Sequence, residues 1–192
     1  MPLIIYEARN LRDDRKRFVE FWSALYDFGQ DDDEFYRQNV HKPLTEERIM
    51  EWFKWKNGMN RLAQQKLRSV QRNFVARRAE LDTIPNDVSA RALLDRFASG
   101  GVIWRIFWLH CWRPERFPIY DQHVHRAMRF IQDGVIQEIP TTDRAKIETY
   151  LNDYLPFHTQ FNHLDFRSVD KALWAFGKFL NENANFAEIA HA

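Results

Sequence analysis

The chain has 192 residues, of which 45% are hydrophobic and 15% aromatic, enough apolar surface for a packed core and too much for an intrinsically disordered chain. The net charge is +1, and the single cysteine, Cys111, excludes an intramolecular disulfide and a multi-cysteine zinc site. The longest apolar run, Val102 to His110, contains Arg105 and is shorter than the roughly 20 residues that span a bilayer.

In chain order, the first predicted helix runs from Asn10 to Phe28, with Leu11, Phe18, Phe21, Trp22 and Leu25 at helical spacing. Acid is concentrated next, in Asp31-Asp32-Asp33-Glu34. Thr45 is placed as the N-cap of a helix that stops near Asn57-Gly58, since acidic Glu46 and Glu47 occupy its first turn. A helix from about Asn60 to Leu81 follows. Between Trp52 and Ala79 there are eight cations (Lys54, Lys56, Arg61, Lys66, Arg68, Arg72, Arg77 and Arg78) and no acid. Such a block suits an anionic partner, with nucleic acid the first choice; the alternative is a solvated helix whose arginines pair with acids elsewhere.

Asn86 or Asp87 is expected to cap a helix ending at Ser99-Gly100-Gly101, and an apolar helix covers Val102 to Trp112. Arg113-Pro114 through Pro118 reads as a loop, Asp121 opens a helix ending near Asp133-Gly134, and Thr141-Thr142-Asp143 starts another that runs to about Tyr154. The last helix covers Ser168 to Asn181, with Asp170 as a capping residue near its start. No stretch alternates with period two. The expected fold is therefore all-α, one helical domain over residues 1–192.

Two stretches carry more information: Phe97-Ala-Ser-Gly100-Gly101-Val-Ile-Trp, and Pro118-Ile-Tyr-Asp121-Gln-His123-Val124-His125-Arg126. A helix, a glycine turn, an apolar helix, a proline loop and an aspartate at a helix mouth together resemble the helix–hairpin–helix DNA glycosylases of the 8-oxoguanine glycosylase type. The resemblance spans about residues 90–130. It implies a helix–hairpin–helix element over about 87–112, followed by a catalytic-aspartate helix over 121–133. It also implies that the Gly100 and Gly101 backbone holds a DNA phosphate and that Asp121 is the essential carboxylate. Two residues rather than one separate Pro118 from Asp121, and the hairpin lacks the full Leu-Pro-Gly-x-Gly pattern. No lysine occurs between Lys66 and Lys146, so the hairpin cannot supply the nucleophilic amine of bifunctional members, and the implied activity is monofunctional.

The chemistry that fits is hydrolysis of an N-glycosidic bond on a modified or damaged base. Its cationic transition state is stabilised by a fixed carboxylate that also orients water. Asp121 could equally be an N-cap and nothing more. The nucleic-acid contacts assigned are Gly100, Gly101, Arg61, Lys66, Arg68, Arg72, His123 and Arg126, and the base-pocket walls Trp52, Trp55 and Trp174, each of which could instead be core. The partner that the resemblance implies is DNA with a flipped base; neither cofactor nor resident metal is assigned. The N-terminus lacks the layout of a secretion signal, and a cytoplasmic address is expected. Two other classes compete: a helical module that binds nucleic acid or protein without catalysis, and a metal-dependent hydrolase using Asp121, His123 and His125.

Overall fold

The computed structural model describes residues 14–27, 32–58 and 61–184. The expected helix start at Asn10, together with Leu11, Phe28, Asp31 and Asn60, lies outside them. All regular structure among the described residues is helical, with no strand, and no helix there is long and apolar enough to cross a membrane. The chain divides into two compact units: a central unit, Phe28–Phe117, and a terminal unit that joins Met1–Asp27 to Pro118–Ala192.

The central unit contains α1 (Asp32–Asn39), α2 (Glu46–Lys56), α3 (Gln64–Val70), the short α4 (Arg78–Leu81), α5 (Ala90–Arg96) and α6 (Val102–Trp112). Thr45 caps α2 as expected, its Oγ1 accepting from Arg48 N at 3.2 Å. The expected helix from Asn60 to Leu81 is divided by a π turn over Gln71–Val75. That turn keeps Val70 and Phe74 on the inward face, both fully buried. Ser89, rather than Asn86 or Asp87, caps α5, with Oγ accepting from Ala92 N at 3.1 Å.

Packing in this unit is aromatic. Phe53 stacks on Phe74 with centroids 4.7 Å apart, and Trp108 meets Phe97 edge-on at 4.6 Å. His110 bridges Phe117 O through Nδ1 and Tyr36 Oη through Nε2, both at 2.8 Å. A carbonyl can only accept, so Nδ1 carries the proton and Nε2 accepts from the tyrosine. Cys111 is buried, and burial raises its thiol pKa well above the usual range; it packs as a small hydrophobe.

The terminal unit contains α7 (Arg15–Ala24), α8 (Gln122–Asp133), α9 (Asp143–Thr149), a π turn over Tyr150–Tyr154, α10 (Leu155–Thr159) and α11 (Phe166–Glu182). Helix α11 packs against both α7 and α8. Phe176 is the shared contact, 5.4 Å from Phe18, 4.8 Å from Trp22 and 5.7 Å from Phe130. Asp165 caps α11 through a 2.8 Å bond from Ser168 N, so the helix starts before the expected Ser168. Asp170 instead pairs with Arg167, at 2.6 Å.

At the α8–α11 crossing the backbones touch. A Cβ added to Gly177 would lie 1.8 Å from the carbonyl oxygen of His123, so only glycine fits. Gly177→Ala is expected to lower unfolding free energy by about 3 kcal/mol through overpacking. Denaturant titration checks this, and a loss below about 1 kcal/mol would mean the helices can separate cheaply.

Candidate functional site

Residues Pro118, Ile119 and Tyr120 form a buried segment without regular structure, ahead of α8. Its polar backbone needs partners, because unpaired buried carbonyls are costly. Tyr150 Oη donates to Pro118 O at 3.4 Å, and Tyr154 Oη donates to Ile119 O at 2.9 Å. The ring of Tyr120 lies 5.6 Å from Tyr150 and 5.1 Å from Tyr154, and its hydroxyl is 2.9 Å from Nδ1 of His125.

The chain reaches Asp121 in an extended conformation, with φ −154° and ψ −173°. Its Oδ1 accepts from His123 N at 3.0 Å and from Val124 N at 3.2 Å, so the residue caps α8. The residue is half-buried, and its place ahead of α8 sets an acidic side chain at the positive end of the helix dipole.

Beside this cap lies an aromatic cluster. The His123 ring is 5.1 Å from Trp174, which is 5.1 Å from Tyr26. Lys178 Nζ sits 5.4 Å from the centre of the Trp174 ring, and Lys171 Nζ 5.6 Å from that of Tyr26. Arg167, itself 5.1 Å over Tyr26, is held by Asp170. Burial pushes the Tyr154 hydroxyl well above its ordinary pKa, and the nearby charges of Asp170 and Asp121 add to that. Trp174 and His123, both assigned from sequence, are thus brought together in the terminal unit and stay half-exposed. Tyr26, Lys171, Lys178 and Asp170 were missed. The signal for the two lysines is the spacing 171, 174, 178 along one face of α11.

Arg126 needs correcting. Only 3% exposed, it gives Nε and Nη2 to Glu138 at 2.7 and 3.0 Å, and that hydrogen-bonded guanidinium holds the Glu138 carboxyl below its usual pKa. It is a buried strut and does not reach a phosphate. Asp121, His123 and His125 do not converge either: the His123 ring packs on Trp174, whereas His125 is buried against Tyr120. Among the described residues no cluster of three or more His, Cys, Asp or Glu is arranged to hold a metal ion.

In the central unit, Gly100 has φ +84°, and a Cβ there would meet Phe74 Cζ at 3.0 Å and Asn73 Nδ2 at 3.5 Å. The glycine turn therefore packs on the π turn that continues the basic helix. Gly101 is the N-cap of α6 with no side-chain cap, and a Cβ there would touch nothing within 4 Å. Lys66 Nζ lies 5.8 Å from the ring centre of Trp104, in the first turn of α6. Arg61, Lys66, Arg68 and Arg72 are exposed, and the two last line an open depression of about 980 Å³ with Gln64, Gln65, Ser69 and Gln71. Farther along, Arg77 is paired with Glu80 at 2.7 Å and Arg78 with Asp82 at 3.8 Å. The solvated, acid-paired reading thus fits that end of the block.

Trp52 and Trp55 also need correcting as pocket walls. They are 1% and 4% exposed, packed against each other at 5.5 Å and against Tyr36 and Phe107. Both belong to the core. The chain matches no protein-family model, no curated protein and no solved structure.

Proposed function

We propose that the chain is a DNA glycosylase-like protein that hydrolyses the N-glycosidic bond of a modified or damaged base, with Asp121 as the reacting carboxylate. The observation that carries this reading is the half-buried Asp121 at the mouth of α8, its cap partner His123 lying against the half-exposed Trp174–Tyr26 pair. A glycosylase needs an oriented carboxylate close to a surface on which an extruded base can stack. Water stays accessible to a half-buried carboxylate, and the developing positive charge on the sugar is what such a group stabilises.

The central unit supplies what backbone binding requires. Arg61, Lys66, Arg68 and Arg72 are exposed cations, and Gly101 at the N-cap of α6 suits the phosphate contact that the resemblance implies. Contacts of that kind hold DNA without reading its sequence. With no lysine in the hairpin, cleavage stops at base release and leaves the strand intact.

The test is incubation with duplex oligonucleotides that each carry one modified base, followed by mass spectrometry for free base and for an abasic strand. Free base without strand scission is the expected result. Tight, salt-sensitive binding with no base released from any substrate would overturn the enzymatic reading and leave a nucleic-acid-binding module.

A further inference from the structure

Tyr150 and Tyr154 are both fully buried, and each spends its hydroxyl on a carbonyl of the three-residue segment that leads into Asp121. They stand at the two ends of a π turn. Such turns are rare, disturb the regular hydrogen-bond ladder, and occur often at functional sites. A buried phenol whose only polar duty is one hydrogen bond could be a phenylalanine at little cost to packing. Here instead two such phenols converge on neighbouring carbonyls in an irregular stretch, where no helix or sheet fixes the backbone.

Tyr120 completes the arrangement. Its ring fills the space against both tyrosines, and its hydroxyl meets His125, one turn inside the helix that Asp121 caps. Asp121 is therefore held on its N-terminal side by Tyr150 and Tyr154 and on its C-terminal side by the α8 amides.

We propose that Tyr150 and Tyr154 are positioning residues for the Asp121 carboxylate: by gripping the Pro118 and Ile119 carbonyls they set its direction toward the scissile bond. The proposal rests on the reading of Asp121 as the reacting group. Reactive groups must be held within about 0.5 Å of the productive geometry, and a displacement near 1 Å can cost about 100-fold in rate.

The experiment compares Tyr154→Phe and Tyr150→Phe with the unaltered protein in base release, in DNA affinity, and in amide exchange at His123 and Val124, whose N–H groups bind Asp121 Oδ1. Tyr154→Phe is expected to lower kcat roughly 10- to 100-fold, with KM and DNA affinity within about twofold. Tyr150→Phe, losing the longer bond, falls less and serves as the reading if the first variant does not fold. Unchanged kcat, or a raised KM at unchanged kcat, overturns the positioning role. An unaltered protein that releases no base refutes the reading of Asp121 instead. Amide exchange then decides the positioning alone: faster exchange at His123 and Val124 with the melting temperature unchanged upholds it, and unchanged exchange overturns it.

Discussion

Asp121→Asn is expected to lower base release at least about 1,000-fold, a loss near 4 kcal/mol of transition-state stabilisation, while the protein stays folded and still binds DNA. Asparagine is as good an N-cap as aspartate, so the bonds from His123 N and Val124 N persist through its side-chain oxygen. On the proposed reading, what disappears is the charge that would face the developing oxocarbenium and orient water. Affinity for DNA should hold or rise, because a negative charge near the phosphates has been removed. Asp121→Ala separates the two duties, since it removes the charge and also costs about 1 kcal/mol of capping. Single-turnover base release, binding by anisotropy, and thermal melting on the three proteins settle the matter. Base release that survives in the asparagine variant would make Asp121 a cap alone.

Much of the fold was legible because its boundaries carry local chemistry. Gly101 before Val102, and Asp121 before Gln122, mark helix starts that the structure places at those residues, and Gly134 in the left-handed region ends α8. Thr45 and Thr142 cap their helices as their side chains suggest. Helix α1 was hidden by its length of little more than two turns and by having only Phe35 and Tyr36 as apolar residues. The π turns were invisible because a wider turn leaves the apolar spacing almost unchanged: Tyr150 and Tyr154 look like an ordinary i, i+4 pair.

The site was legible only where one residue's role is local. Asp121 and His123 belong to one helix start and could be placed together. Trp52 and Trp55 were assigned to a base pocket with a core role as the alternative, and the core role holds: with Ile49 and Phe53 they make the buried face of α2. Arg126 could not be assigned without Glu138, which returns to it from beyond the Gly134 turn. The Tyr26–Trp174 contact arises from packing of α7 on α11, and no spacing along the chain encodes that.

Stability should fall steeply between pH 6.5 and pH 4, driven by two buried histidines. Burial lowers the pKa of His125 from 6.5 to about 4, with Arg129 and Arg126 adding to the effect and Glu138 and Asp153 opposing it. Burial alone lowers His158, which packs on Tyr154, from 6.5 to about 4. The structural cause at His125 is plain: Nδ1 is occupied by Tyr120, and Nε2 is buried without a hydrogen-bond partner, so the doubly protonated ring would hold a buried Nε2–H with no acceptor. Both folded values lie below the unfolded one, so the unfolded chain binds protons in this window that the native chain does not. The contribution is complete above pH 6.5 and shrinks as the pH drops toward 4. Each histidine then removes about 3 kcal/mol by pH 4, against a typical total of about 5–15 kcal/mol for a domain. Denaturant midpoints at pH 7 and pH 4.5 measure the drop. His125→Gln and His158→Gln should each lessen it, although both variants start lower at pH 7, and the double variant should keep only the slope due to carboxylates. A drop of unchanged size in the double variant would show that these imidazoles accept protons in the folded state as readily as in the unfolded chain.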